Sequence, residues 1–199
     1  MESAEDRIRR VSSERITIVP YDPTWPARFE AEKARLLALL PPGLMLRVEH
    51  VGSTAIPGLA AKPIVDILVG VADVTEARVV AVPALERKGY EYFWRPLIGD
   101  DGPPWYPWFI KRDCDGTRTH HVHVLDIRWP EFLDWVLFRD SLRSQPAAAA
   151  RYAGLKQHLA DEFPFDRTAY TEAKTAFITE VVRRARERLS QAGGGDPKG

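Results

Sequence analysis

Residues 44–53 read LMLRVEHVGS, and residues 64–71, after a short connection, read IVDILVGV. Apolar-leaning runs of this length predict two strands. Gly52 and Ser53 directly follow the first run, and Asp66 interrupts the second. Glycine lets the backbone approach an anionic group closely, and a serine hydroxyl with its neighbouring N–H groups donates hydrogen bonds to that group. The pattern predicts a strand, a phosphate-binding turn and a second strand that carries a catalytic carboxylate; an ordinary turn at Gly52 is the alternative.

The composition is that of a folded globular protein with one sizeable core. The chain has 199 residues, 45% of them hydrophobic, and Lys plus Arg equal Asp plus Glu at 28 each. Because there is no basic excess, the net charge does not favour a nucleic-acid partner. Cys114 is the single cysteine, which excludes an internal disulfide and fits a reducing compartment.

The sequence also bears on the location of the protein. No apolar run approaches the length needed to cross a bilayer, and residues 1–14 do not resemble a signal peptide. We therefore expect a cytoplasmic protein with no membrane partner. The sequence leaves the oligomeric state open.

The chain is expected to consist of a core and a helical segment between two tails. Residues 1–14 and 190–199 are mostly polar or glycine-rich, and we expect them to be disordered. Strand and helix patterns alternate over residues 15–128, which predicts an α/β core. Helical spacing dominates residues 129–189 and predicts helices packed on that core, the last of them running unbroken over residues 167–189.

Three strands are predicted just before the C-terminal helices. They cover residues 90–94, 105–111 and 117–125, and the last two are joined by a turn at residues 113–116. The loop at residues 97–104 fits either a lid over a site or a solvated connector.

A run of histidines lies on the last of these strands. Residues 120–124 read HHVHV, and alternation along a strand sends His121 and His123 to one face and His120 to the other. Two neighbouring imidazoles supply two ligands to a metal or two donors to a phosphate, and a nearby carboxylate such as Asp66 would complete a two-histidine, one-carboxylate set. His50, at the end of the first strand, is a further candidate, while hydrogen bonding within a polar face is the structural alternative.

Lysines near the two motifs are candidates for anion binding. Lys62 lies four residues before Asp66, and along an extended chain this separation favours a shared ligand over a direct salt bridge. Tyr170 and Lys174 are i,i+4 neighbours on the last predicted helix, with Lys174 at the flank of the apolar stripe. Its charge is placed either to reach a phosphate in a cleft or simply to extend into solvent.

The motif around these residues resembles a known family. Residues 49–67, EHVGSTAIPGLAAKPIVDI, are similar to the signature of the GrpB family, and the resemblance extends over residues 15–185. It continues through HVHV at 121–124, FRDSLR at 138–143, residues 152–156 and residues 170–174. The family is grouped with the nucleotidyltransferase-fold superfamily. The resemblance therefore implies an α+β fold with a nucleotidyltransferase-like mixed β-sheet flanked by helices, a Gly-Ser turn that holds nucleotide phosphates, and metal-bound carboxylates beyond it.

The match to the superfamily is incomplete at one position. Gly52 and Ser53 match its phosphate turn, and Asp66 matches its first metal-binding aspartate. The superfamily has a second acidic residue on the same strand, separated from the first by one residue, and this position is Leu68 here. A leucine cannot help to hold two metal ions. Either His121, His123 or Asp126 fills the gap, or the reaction is not ordinary nucleotidyl transfer.

The leading hypothesis is a nucleotidyltransferase-like transferase that binds a nucleotide or another anionic small molecule between the sheet and the C-terminal helices. Its expected cofactor is Mg²⁺ or Mn²⁺ with a nucleoside triphosphate, or none. The roles are anion binding by Gly52, Ser53 and Lys62, metal binding or acid–base catalysis by Asp66, His121 and His123, and ligand positioning by Tyr170 and Lys174. One alternative is a metal-independent acid–base enzyme that acts on a small specialised metabolite; another is a non-catalytic ligand-binding or accessory module.

Overall fold

The computed structural model describes residues 4–96 and 104–193. The loop expected at residues 97–104 therefore falls, except for Pro104, outside the described residues. The elements are α1 (Ala4–Ser13), α2 (Trp25–Leu39), β1 (Arg47–Val51), β2 (Val65–Val71), α3 (Val74–Glu86), β3 (Glu91–Pro96), β4 (Trp105–Arg112), β5 (Arg118–Asp126), α4 (Pro130–Ser144), α5 (Pro146–Glu162), α6 (Arg167–Glu172) and α7 (Thr175–Gly193). A short 3-10 helix, Ser53–Ala55, follows β1.

The strands form one mixed sheet in the order β1-β2-β5-β4-β3. The central pair, β2 and β5, is parallel, and the other neighbours are antiparallel. Strand β2 is apolar on both sides except at Asp66, as is typical of a central strand covered on both faces. The predicted α+β fold with a mixed sheet flanked by helices is confirmed.

The residues form two compact units, each made of several chain segments. We call the first the sheet unit, which consists of Asp22–Pro57 and Ile64–Val136. The second, the helical unit, consists of Met1–Tyr21, Gly58–Pro63 and Leu137–Gly199. The sequence had indicated a single boundary, between residues 128 and 129. The contacts instead assign residues 4–21 and a short internal segment to the same unit as the C-terminal helices.

In the sheet unit, helices α2 and α3 cover one face of the sheet. Leu36 of α2 and Ala81 of α3 line the same small apolar void as Val122 and Val124 of β5. On the other face, the start of α4 lies so close to β2 that a Cβ on Gly70 would come within 2.9 Å of Phe132. The histidine face described below is therefore the face on which α4 begins.

In the helical unit, the chain before α2 packs against the C-terminal helices. Ile16 is buried in a cluster with Leu159, Ala160 and Tyr170, and its N–H donates to the carbonyl of Pro164 at 2.8 Å. Val19, in the same stretch of chain, forms an isolated antiparallel bridge with Ala61.

Three local expectations differ from the structure. Residues 4–13 form helix α1, whose Val11 is buried, rather than part of a disordered tail. Residues 190–193 complete α7, and residues 194–199 lie outside the described residues. The helix predicted over residues 167–189 is interrupted after α6, so that Lys174 lies in a turn before α7.

Candidate functional site

The register of the sheet brings the motif residues of β2 and β5 together. Asp66 is the direct neighbour of His121 across the parallel pair, and Leu68 is the neighbour of His123. Directly paired residues share a face of the sheet, and residues two apart on one strand do as well. Asp66, His121 and His123 therefore lie on one face, as the alternation of residues 120–124 had predicted.

Side chains from β4 and β3 extend this face. Trp108 is paired with His123, and Arg95 of β3 is paired with Tyr106 of β4, two residues before Trp108. The guanidinium carbon of Arg95 lies 4.9 Å from the Trp108 ring centroid. The face thus has an acid at one end, imidazoles in the middle and a cation stacked on aromatic rings at the other end.

The polar atoms of this face are linked. Nδ1 of His121 lies 3.0 Å from Oδ1 of Asp66, and Nε2 of His123 lies 3.7 Å from the same oxygen. Nδ1 of His123 lies 3.1 Å from the hydroxyl of Tyr106. An ionised carboxylate only accepts hydrogen bonds, so Nδ1 of His121 is the donor and its Nε2 is left with the lone pair.

The Gly52 turn lies directly against the carboxylate. Gly52 has φ 70° and ψ −171°, a conformation that is essentially restricted to glycine. A Cβ at this position would overlap Oδ2 of Asp66. Ser53, which is half-buried, opens the 3-10 turn that follows. The structure therefore places Gly52 against Asp66, with Ser53 next to Gly52 in the chain.

Burial and mutual contacts determine the charges of this cluster. Burial raises the pKa of Asp66, but its interactions with His121 and His123 outweigh burial and hold the pKa below the usual carboxyl value. Burial lowers the pKa of His121 to about 3, although Asp66 opposes the shift. The pKa of His123 is also lowered by burial. At neutral pH the cluster therefore consists of an ionised carboxylate and two neutral imidazoles.

Two nitrogen atoms of the cluster have unused bonding capacity. Nε2 of His121 and Nε2 of His123 are buried without a hydrogen-bond partner among the described residues. Asp66, His121 and His123 can each offer one ligand atom, all within 4.8 Å of one another. Neutral imidazole nitrogen and carboxylate oxygen are common metal ligands, so these residues fit a divalent ion.

Asp126, a candidate for the missing second acid, and His50, a candidate member of the histidine cluster, lie elsewhere. Asp126 is paired in register with Val71, and its carboxylate is bound by Arg128 with Nε to Oδ1 at 2.9 Å. His50 is in register with Ile67, so it lies on the opposite face from Asp66. It is His123, beside Leu68, that places a potential ligand next to the position where the superfamily has its second carboxylate.

The remaining predicted residues are brought together in the helical unit. Lys62 lies with its Nζ 5.1 Å from the ring centroid of Tyr170, and the Nζ of Lys174 lies 4.1 Å from the same centroid. The cluster of these three residues is described below.

Sequence reasoning missed several residues around His123. Tyr106, Trp108 and Arg95 share its face, and the ring of Trp135, on α4, lies 4.6 Å from its ring. Alternation along β4 could have placed Tyr106 and Trp108 on one common face. Their position beside His123 depends on strand register, for which the sequence contains no local signal.

Comparisons with known proteins agree with the motif and the fold. A family model described as GrpB protein matches residues 15–184. The chain is 40% identical over 183 residues to a UPF0157 protein of Pseudomonas aeruginosa, covering 90% of this chain and 71% of that protein. It is 31% identical over 173 residues to the glutamate-rich protein GrpB of Alkalihalophilus pseudofirmus, covering 86% of this chain and 97% of that protein.

A solved structure extends the agreement to three dimensions. The crystal structure of the conserved protein GrpB from Enterococcus faecalis superposes with a TM-score of 0.74 at 36% identity, covering 87% of this chain and 99% of that one. The fold is thus nucleotidyltransferase-like, as the resemblance implied. Among the described residues, no helix combines the length and apolarity needed to span a membrane. The family model and the relatives together show that the chain belongs to the GrpB family.

Proposed function

We propose that this chain is an enzyme that binds a divalent transition-metal ion at Asp66, His121 and His123 and acts on an anionic small molecule. That molecule is a nucleotide or another phosphorylated or carboxylated compound. The observation that carries the proposal is the pair of buried Nε2 atoms of His121 and His123 without hydrogen-bond partners. A buried polar atom left unsatisfied costs free energy, which binding of an ion would recover.

The donor set favours some ions over others. Two imidazole nitrogens and one carboxylate oxygen suit Zn²⁺, Fe²⁺ and Mn²⁺, whereas Mg²⁺ prefers oxygen ligands. Of the two ions expected from the sequence, Mn²⁺ therefore fits these residues better. When bound, the ion would supply Lewis-acid stabilisation of negative charge on a phosphoryl or carboxyl oxygen.

Other residues of the same face would orient the ligands and bind the anion. Tyr106 lies 3.1 Å from Nδ1 of His123, and an outer contact of this kind orients a metal-binding histidine. Gly52 has no Cβ and so avoids a clash with the Asp66 carboxylate, and Arg95 provides a positive charge for an anionic substrate.

Calorimetry of metal-depleted protein tests the proposal. We expect saturable binding of Mn²⁺ or Zn²⁺ that is weakened at least about tenfold by His121→Ala, with Mg²⁺ binding more weakly. His158→Ala is the matched control, because His158 is exposed on α5 and lies 3.5 Å from Glu162. Equal metal affinity in the wild type and His121→Ala would exclude the site.

The nucleotide is tested by titrating ATP, GTP, CTP and UTP with and without the bound ion. Absence of binding for all four would exclude a nucleotide as the ligand.

A metal-independent acid–base enzyme is the second candidate, supported by the Asp66–His121 hydrogen bond. This contact orients a neutral imidazole whose Nε2 can accept a proton, as in a catalytic base held by a carboxylate. Turnover of a small metabolite that persists after exhaustive chelation and is lost in His121→Gln would support this candidate. Turnover that requires added Mn²⁺ or Zn²⁺ would exclude it.

A further inference from the structure

Three lysines from separate segments of the helical unit are gathered around two tyrosine rings. Lys62 follows the Gly58 turn, Lys156 lies on α5, and Lys174 lies in the turn between α6 and α7. The Nζ atoms of Lys174 and Lys62 lie 4.1 Å and 5.1 Å from the ring centroid of Tyr170. Both ammonium groups thus lie beside one aromatic ring.

Lys156 is the most unusual member of this cluster because it is almost completely buried. Its relative exposure is 2%. Its Nζ donates a hydrogen bond to the carbonyl of Ala60 and lies 5.0 Å from the ring centroid of Tyr152. Lysine is seldom buried to this extent unless its charge is compensated.

Lys156 is also close enough to Lys174 for the two charges to interact. Burial and, to a smaller extent, the charge of Lys174 together lower the pKa of Lys156 to about 7. The carbonyl of Ala60 occupies one of the three N–H donors of the Lys156 ammonium group. The charge of Lys174 disfavours the charged form of Lys156, and an anion bound near both groups would favour it.

We propose that Lys62, Lys156 and Lys174 form an oxyanion-binding site beside Tyr170 that takes a phosphoryl or carboxylate group of a small-molecule ligand. Lys62, Tyr170 and Lys174 were expected from the sequence to contact a ligand, and Lys156 is added by the structure. The proposal concerns the helical unit alone and does not depend on the metal site of the sheet unit.

The chemistry of the cluster suits an oxyanion. Ammonium groups form charge-assisted hydrogen bonds to phosphoryl and carboxylate oxygens, and three of them can bind one group from several directions. Burial also raises the pKa of the Tyr170 hydroxyl, so this group stays protonated near neutral pH. The three ammonium groups supply the charge, while the buried position of Lys156 limits the access of water that would weaken it.

The test is calorimetry of chelator-treated protein with inorganic phosphate, pyrophosphate, succinate and citrate at constant ionic strength. We expect saturable binding of at least one of these anions, weakened at least about tenfold by Lys174→Gln or Lys62→Gln, since each removes one charge from the site. Lys88→Gln is the matched control, because Lys88 is an exposed lysine of the sheet unit, and it should bind like the wild type. Stronger binding of phosphates than of carboxylates would identify a phosphoryl site, and the reverse order would identify a carboxylate site.

Lys156 is tested separately, because changing a buried residue can unfold the protein. Nuclear magnetic resonance of labelled lysine side chains in the unaltered chain should show the pKa of Lys156 rising from about 7 when the anion binds, since the anion stabilises the charged form. No saturable binding of any of the four anions, equal binding by the wild type and Lys174→Gln, or an unchanged Lys156 pKa would overturn the proposal.

The same titration separates this site from the metal site. Asp66→Asn should bind the anion as the wild type does, because Asp66 supplies none of the three ammonium groups of the proposed site. Loss of anion binding in Asp66→Asn alone, with Lys174→Gln unaffected, would assign the anion to the metal site and overturn the lysine site.

Discussion

At the scale of single residues, Gly52 and Asp66 determine the shape of the candidate metal site. The backbone of Gly52 approaches the Asp66 carboxylate so closely that no other residue type fits without a shift. Glycine also removes the strain of φ 70° with ψ −171°. The glycine is therefore required twice, once for its conformation and once for the space beside the carboxylate.

Gly52→Ala separates these two requirements when it is compared with a second glycine. Gly116 also has a positive φ, 86°, but a Cβ there meets nothing within 4 Å. We expect Gly116→Ala to lower the free energy of unfolding by about 1 kcal/mol through strain alone, and Gly52→Ala to lower it by about 3 kcal/mol because a stricter backbone requirement and the collision with Asp66 are both added. Chemical denaturation measures both. Equal losses in the two variants would show that the contact with Asp66 is unimportant for stability.

At the scale of elements, a buried carboxylate connects helix α2 to the sheet. Glu32 is 3% exposed on α2. Its two oxygens accept hydrogen bonds from the hydroxyl of Tyr90 and from Nζ of Lys111 on β4. This network fixes α2 over the face of the sheet opposite to the candidate site, and so supports the strands that carry the site residues.

Glu32→Ala should destabilise the sheet unit strongly. The change leaves the Tyr90 hydroxyl and the Lys111 ammonium without their shared acceptor, and we expect a loss of about 3 kcal/mol in the free energy of unfolding. Glu30→Ala, two residues earlier on the same helix, is the control. The Glu30 side chain is 67% exposed and its carboxylate lies 4.0 Å from Nζ of Lys33. We therefore expect a loss below about 0.5 kcal/mol in the free energy of unfolding. Urea denaturation of both variants checks this, and a similar small loss in each would contradict the role assigned to Glu32.

The break between α6 and α7 changes the surroundings of Lys174. The apolar stripe over residues 167–189 predicted one helix, with Lys174 at its flank. The interruption after Glu172 instead places Lys174 in a turn, where its Nζ lies over the Tyr170 ring. Periodicity alone did not reveal this break, because the residues around it, Ala173 to Ala176, contain neither glycine nor proline.

At the scale of the whole molecule, the helical unit is assembled from three separate parts of the chain. Ile16, near the N-terminal end, is buried with Leu159 and Tyr170, and the side chain of Arg167 donates to the carbonyl of Glu14 at 3.0 Å. Residues before α2 therefore need the C-terminal helices to form their native structure.

A chain that ends at Val136 tests this dependence. It keeps the sheet unit but loses the part of the helical unit that starts at Leu137. We expect the shortened chain to expose the apolar side chains around Ile16, to bind the dye ANS and to unfold over a broader temperature range than the intact chain. A sharp thermal transition at the temperature of the intact chain, without dye binding, would contradict this expectation.

The sequence by itself determined the strands, most helices, the Gly52 turn and the common face of His121 and His123. These features depend on alternation, helical spacing and glycine chemistry, which act over a few neighbouring residues. The resemblance to the GrpB family added the mixed sheet and the position of Asp66 relative to the turn.

Only the tertiary structure decided which distant residues meet. Asp66 and His121 are 55 positions apart, and their contact depends on the parallel register of β2 with β5. Register is selected by the packing of whole strands and is not encoded in either strand alone. The same holds for Tyr106 and Arg95 beside His123, and for Lys156 near Lys174, because these contacts form only when segments far apart in the chain have folded against each other.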